Sequence, residues 1–264
     1  MRGLVDTHTH TWFSHDSKGD PKLSCQVAIE KGLKGIAFTD HCDVELHFYD
    51  TKEDISKSVE NARNLKKEFD GRLEVFVGVE MGVSKQSSET AKRIMDELGE
   101  LDEIIYSVHC LDWKGEMVAF SRLDFQNFPD SEINEFFKVY FDEVYSGLLR
   151  NDADILPHLT CPEKYVKKYG KTVDFSRFSR EIDDILRLVV KKDMALEINV
   201  SNGIDESVVD KYLSLGGAKF TLGSDAHTPE DVGNGFDKWT QYLKNKGVDK
   251  VYYFSKRKPI LLKI

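Results

Sequence analysis

Four cysteines in 264 residues, none spaced as CxxC, are too few and too scattered for a disulfide framework. No apolar run approaches the roughly 20 residues of a membrane span. The opening MRGLVDTHTH lacks the apolar core of a secretion signal. The expectation is a cytoplasmic protein with reduced thiols. Positive charge is also in short supply. Lys and Arg number 37 against 46 Asp and Glu, a formal net charge of −9, which argues against nucleic-acid or anionic-membrane binding through the bulk surface. There is no GxGxxG, no P-loop, no low-complexity tract and no short-period repeat, so nucleotide cradles and solenoids drop out.

What remains is a chain with 40% hydrophobic residues, enough to bury a core without staples. Short β-branched or apolar runs alternate with helical patterns. The runs predict strands at Leu4–Asp6, Gly35–Asp40, Leu73–Glu80, Glu103–His109, Ile155–His158, Ala195–Val200 and Lys219–Gly223, with a possible last one at Lys250–Phe254. Helical patterns fall near 22–33, 51–69, 87–99, 131–149, 174–192, 205–216 and 229–246. This alternation, with no long linker, predicts one domain over residues 1–264 built as a parallel α/β barrel. The short apolar tail Ile260–Ile264 should dock on that barrel.

The chemistry-bearing residues stand where the strands end. The first runs into Asp6-Thr7-His8-Thr9-His10, and alternation would put Asp6, His8 and His10 on one side. Asp40-His41, Glu80, His109 and His158 end the next four, and the seventh runs into Asp225-Ala226-His227. All C-terminal strand ends of a parallel barrel open onto one face. With His15 in the first loop, seven of the eight histidines then meet there, leaving His47 outside. Singly, a strand-end histidine is usually structural and a lone acid a cap or ion-pair partner. Together they predict a metal site. Cys42, Cys110 and Cys161 lie beside proposed ligands, and their expected role is apolar packing.

Asp6-x-His8-x-His10, Thr39-Asp40-His41, Gly78-Val79-Glu80, Ser107-Val108-His109, His158 and Gly223-Ser224-Asp225-Ala226-His227 together resemble the PHP (polymerase and histidinol phosphatase) superfamily. Flanking segments, including Lys164 and Asn199-Val200-Ser201, are similar to its histidinol-phosphate phosphatase branch. The resemblance implies a distorted (β/α)7 TIM-like barrel with up to three divalent transition-metal ions (Zn, Fe or Mn) at the C-terminal strand ends. One ion would take His8, His10, Glu80 and Asp225. A second would share Glu80 and add His109 and His158. The third would take His15, His41 and His227.

Three divalent ions, two carboxylates and a bridging hydroxide leave about +3 at the site, which suits a phosphate monoester dianion. Ionised water between two metals would attack phosphorus, with no protein nucleophile. Asp6, Glu80, Asp225 and His227 are the candidate catalytic residues, Asp6 by orienting a histidine ligand, with proton transfer as its alternative role. Lys164, and after it Arg122, are candidate phosphate contacts. In the loop 111–130, Trp113, Phe120, Phe125 and Phe128 either cover a substrate imidazole or pack on the rim. Asp43, Glu45 and Asp112 are candidates for a substrate ammonium group. The expected partner is therefore a small phosphorylated substrate such as L-histidinol phosphate, with neither nucleic acid nor membrane. A different small phosphoester and a non-catalytic metal-binding barrel are the competing readings.

Overall fold

The computed structural model describes residues 2–45 and 51–264, so His47 lies outside the described residues. Its elements in chain order are β1 (Val5–Thr9), α1 (Pro21–Glu30), β2 (Gly35–Phe38), β3 (His41–Asp43), α2 (Thr51–Glu68), β4 (Glu74–Gly82), α3 (Ser88–Leu98), β5 (Glu103–Ser107), β6 (Cys110–Trp113), β7 (Glu116–Ala119) and α4 (Asp130–Arg150). There follow β8 (Ile155–Leu156), α5 (Glu163–Lys167), α6 (Ser179–Lys191), β9 (Ala195–Asn199), α7 (Glu206–Ser214), β10 (Phe220–Gly223), α8 (Phe236–Asn245), β11 (Lys250–Ser255) and β12 (Lys258–Lys263).

Seven parallel strands run in the order β1-β2-β4-β5-β8-β9-β10, with β3 paired to β4. The seam closes where the chain beyond β10 returns to β1: Asp225 N donates to His8 O at 2.8 Å, and His10 N to Ala226 O at 2.9 Å. This is the parallel barrel anticipated from the strand and helix alternation, with the seven strands that the family resemblance implied. Helix starts follow local chemistry. Asp20 caps α1 by accepting from Lys22 N and Leu23 N, just ahead of Pro21, and Asp205 caps α7 through Ser207 N. On α6, Ile182, Ile185, Leu186 and Val189 are buried at helical spacing.

Four details depart from the sequence expectation. The strand foreseen over Gly35–Asp40 stops at Phe38, and His41–Asp43 forms its own strand against β4. Part of the loop 111–130 is an antiparallel hairpin, β6 with β7. The helix foreseen over 229–246 begins only at Phe236, because Gly233 and Gly235 take φ of 69° and 75°. The tail docks only in part: it pairs with β11 as β12, Leu262 and Ile264 pack against the core, and Ile260 and Leu261 stay exposed.

The hairpin of β11 and β12 closes the N-terminal end of the barrel. Tyr253 packs with Val5, Ala37 and Phe76, and Phe254 packs with Ile105, Ile155 and Ala195. Its turn residues Lys256 and Arg257 both take positive φ, as a tight two-residue hairpin requires. Lys256 N donates to Asp102 Oδ1 at 3.1 Å, and the Arg257 guanidinium pairs with Asp154.

On β5, Glu103 alternates with Ile105 and Ser107, facing the barrel interior. Both of its carboxyl oxygens are buried without a hydrogen-bond partner among the described residues. Burial, reinforced by Asp154 and Asp102, pushes its carboxyl well above the usual 4.5. The native chain therefore holds this proton more tightly than the unfolded one, and stability falls as pH rises above the unfolded value. Glu103→Gln removes that loss. Its urea midpoint should exceed that of the parent at pH 8, and the gap should close as pH falls toward 4.5. An equal gap at both pH values would refute a neutral Glu103.

Candidate metal centre and active site

Glu80, at 0% exposure, ends the inner row of β4 and stands at the centre of the open face. One oxygen accepts from Ser107 Oγ at 2.6 Å and faces His158 Nε2 at 2.9 Å and His109 Nε2 at 3.3 Å. The other faces His41 Nδ1 at 2.8 Å and the Nε2 atoms of His8 and His10, each at 3.5 Å. Asp225 Oδ1 lies 3.1 Å from His10 Nε2 and 3.7 Å from His8 Nε2. The barrel thus brings His8, His10, His41, His109, His158, His227, Glu80 and Asp225 into one cluster.

Within it, donor atoms lie within 4.8 Å of one another in the sets His8–His10–Glu80, Glu80–His109–His158, His8–His158–Asp225, His10–His41–His227 and His41–Asp43–His109. His15 joins none of these sets. It lines the cleft with its ring 5.4 Å from that of His41. Between His41 and His227 stands Asp16 instead, its oxygens 3.5 Å and 3.4 Å from their Nε2 atoms.

The arrangement fits metal ions better than it fits its own atoms. His8 Nε2 and His10 Nε2 point at each other across 3.1 Å. Glu80 Oε2 and His41 Nδ1 are buried and close, yet neither has a hydrogen bond of acceptable angle. A cation that accepts lone pairs from both sides resolves these contacts, and an imidazole and carboxylate donor set suits transition metals.

Most rings are held from behind. His8 Nδ1 meets Glu197 at 2.9 Å, His109 Nδ1 meets Asp43 at 2.7 Å, and His10 Nδ1 donates to Ser14, which itself donates to Asp40. Asp40 is the hub of this loop, accepting from Thr11, Ser14 and Ser58. Glycines clear the space: a Cβ on Gly223 would lie 2.6 Å from Glu197 Oε2, and one on Gly82 would fall on Asp43 Oδ1.

Electrostatically the cluster is tightly balanced. Burial opposes charge on His8 and His109, but Glu197, Asp225 and Glu80 around the first, and Asp43 and Glu80 around the second, push both well above the ordinary histidine value. His41 is driven the same way against burial, to about 10, chiefly by Glu80 and Asp43. Burial and the neighbouring His41 lower His10 to about 4. Burial would raise Glu80 and Asp225, but the surrounding imidazoles hold both well below the carboxylate range. Protons here occupy the place of cations.

Several expected roles change. Asp6 does not reach an imidazole. A register shift between Asp6 and Thr9 breaks the alternation, and its carboxylate accepts instead from Ser224 N at 2.9 Å and Gly233 N at 2.8 Å. Asp43 is committed to His109, Glu45 to Ser84 N, and Asp112 to Gly115 N in the exposed hairpin. Trp113, Phe125 and Phe128 pack with one another and with Phe136, away from the cleft, so of the four aromatic residues Phe120 alone lines it. The three cysteines are buried, and burial pushes the Cys42, Cys110 and Cys161 thiols up to about 12, 12 and 11. They join no donor set among the described residues. Arg122 is exposed and is not among the cleft-lining residues, whereas Lys164 is, beside Tyr165 and Asn202.

Asp16, Glu197 and Asn202 escaped the sequence reading, and Asn199 entered it only as part of a flanking segment with no role assigned. Glu197 carried a signal, being the one charged residue inside the apolar run Ala195–Ile198.

The family model described as the PHP domain matches residues 6–201, from the first strand through the turn that follows β9. The chain belongs to the PHP family. A Clostridium acetobutylicum protein named "Probable histidinol-phosphatase" is 27% identical over 261 residues, covering 95% of this chain and 96% of its own length. The histidinol-phosphatase of Lactococcus lactis is 26% identical, covering 95% and 94%. Among solved structures, the histidinol phosphate phosphatase of Lactococcus lactis, in complex with zinc, L-histidinol and phosphate, superposes with a TM-score of 0.82 at 23% identity, covering 98% of this chain and 100% of that one. The PHP chain is therefore a metal-dependent phosphatase with several candidate metal sites built from His, Asp and Glu. Among the described residues, no helix is long and apolar enough to cross a membrane.

Because protons stand in for cations in the cluster, metal loading should release them. Zinc added to chelator-treated protein at pH 7 in weak buffer should acidify the solution by at least one proton per chain. Asp16→Asn should lower total metal content more than His15→Ala does. The reverse order would assign the outer set to His15.

Proposed function

We propose that this PHP phosphatase hydrolyses L-histidinol phosphate to L-histidinol and phosphate, the phosphatase step of histidine biosynthesis, and that it holds up to three divalent transition-metal ions, zinc, iron or manganese. The observation that carries this reading is Glu80, one buried carboxylate faced by five imidazoles, at the floor of a cleft whose wall carries Lys164. Two ions sharing one carboxylate make the constellation suited to displacement at phosphorus. Support for the substrate comes from the near full-length likeness to histidinol-phosphatases.

His8, His10, Glu80 and Asp225 would hold one ion, and Glu80, His109 and His158 a second. An outer ion would be held by His41 and His227, with Asp16 replacing His15 as the adjoining donor. Bound metals would supply Lewis acidity that ionises water near neutral pH and neutralises phosphate charge. The chain's own groups supply the remainder. Glu197 and Asp43 fix the rings of His8 and His109, so the inward nitrogens keep their aim. Lys164 stays cationic: burial works against its charge, but nearby Cys161, Tyr165 and Asp225 outweigh it and raise its pKa. Its ammonium is placed to meet phosphate oxygens. Phe120 and Tyr165, their ring centres 5.7 Å apart, offer an aromatic wall for the substrate imidazole. Asp6 acts at a distance, by fixing the backbone on either side of Asp225 and His227.

Metal-loaded protein should hydrolyse L-histidinol phosphate with kcat/KM at least about a hundredfold above that for a plain aryl phosphate, which is about 2.7 kcal/mol of transition-state binding. Glu80→Ala should abolish turnover and lower the content of two metals together. Equal rates on the two esters would instead support a phosphatase for a different small phosphoester. Unchanged turnover in Glu80→Ala would remove the proposed centre.

A further inference from the structure

The loop after β9 holds an amide that touches both halves of the site. Asn202 Nδ2 donates to Asp225 Oδ2, and Asn202 Oδ1 accepts from the Lys164 ammonium. The direction of this amide is set by chemistry. A flip would turn the carbonyl toward the carboxylate and the NH2 toward the ammonium, which have nothing to exchange. The backbone beneath is fixed as well. Asn202 N donates to Asn199 Oδ1 at 2.8 Å, Gly203 turns the chain at φ 73°, and Ser201 Oγ donates to Ser224 O at 2.7 Å. Asn199 in turn donates to Glu197 Oε1 at 2.7 Å and to Asp225 Oδ2 at 3.2 Å. A continuous hydrogen-bonded path therefore joins Lys164, Asn202, Asp225, Asn199, Glu197 and His8.

Lys164 and Asp225 carry opposite charges on the same cleft, one at each end of the Asn202 amide. With nothing between them the ammonium would be drawn onto the carboxylate. Such a pair would cancel the cation needed for phosphate and the anion needed for metal. The amide satisfies each group in its own polarity without neutralising either.

We propose that Asn202 is a positioning residue that keeps the Lys164 ammonium apart from Asp225, so that one group remains available for phosphate and the other for metal. This rests on the phosphatase reading given above, and specifically on Lys164 meeting phosphate. The test uses inorganic phosphate as the probe and p-nitrophenyl phosphate as the reporter substrate, so it does not depend on which natural ester is cleaved. Metal-loaded parent, Asn202→Ala, Lys164→Met and the double variant are compared for the inhibition constant of phosphate, KM, kcat and bound metal. Asn202→Ala should raise both the phosphate inhibition constant and KM about tenfold or more, with kcat falling by a smaller factor. Lys164→Met should do the same, and the double variant should be no worse than Lys164→Met alone.

The proposal is overturned if Asn202→Ala leaves phosphate inhibition within about twofold of the parent. It is equally overturned if the loss repeats in full on the Lys164→Met background, which would mean that Asn202 acts independently of the lysine. A general loss of structure would show as a lost cooperative urea transition with a fall in kcat as large as the rise in KM, and that outcome also counts against it. Failure of the phosphatase reading shows separately, as no turnover of any phosphate ester by the metal-loaded parent.

Discussion

A carboxylate buried without water must be matched by positive charge or hydrogen-bond donors, since its desolvation otherwise costs several kcal/mol. Glu80 is matched by Ser107 and by five imidazoles drawn from four segments of the chain. Much else follows from that requirement. The rings that balance Glu80 need their own partners, which Glu197, Asp43 and Ser14 provide. Those partners need space and orientation, and Gly82, Gly223 and Asp40 supply them. Asp6 fastens the β1 end of the seam to the segment bearing Asp225 and His227. The open end of the barrel is thus organised as alternating shells of charge around one group.

The division between legible and illegible residues has a physical cause. His8, His10, Glu80, His109, His158 and Asp225 were readable because a polar residue at the end of an apolar strand is costly unless it has a task, and barrel topology gathers strand ends. The parallel barrel was readable from the spacing of those same runs, and its seven strands only from the family resemblance. Asp6 was misplaced because a register shift in β1 is invisible to a rule of strict alternation. Asp16, Glu197 and Asn202 depend on which loops meet in space, and their partners lie on elements remote in sequence. The β6–β7 hairpin was missed because Lys114-Gly115 sits within a stretch read as a loop, although Lys114 and Gly115 both take the positive φ of a tight turn.

The two ends of the barrel treat polar groups in opposite ways. At the open end carboxylates and imidazoles are paired closely enough to leave few spare valences, and the remaining ones face each other. Deeper inside, Glu103 has no partner for either oxygen among the described residues and is accommodated as a neutral acid. The apolar floor built by Tyr253 and Phe254 keeps the barrel interior closed from below, so the charged shell has solvent on one side only. That asymmetry directs the field of the cluster outward, toward the cleft where Lys164 and Phe120 stand, and it gives an acidic protein a local means of attracting an anion.

The closing seam has a consequence for how the molecule comes into being. Asp6 bonds to Gly233, 227 positions away, and His8 to Glu197, 189 positions away. The floor is laid by the last two strands. Such contacts have high sequence separation, and chains dominated by them fold slowly because long loops must close before the contacts reward it. During synthesis the first histidines emerge long before the residues that will surround them. The histidines of β1 must therefore wait for their partners until the chain has been made at least as far as Gly233.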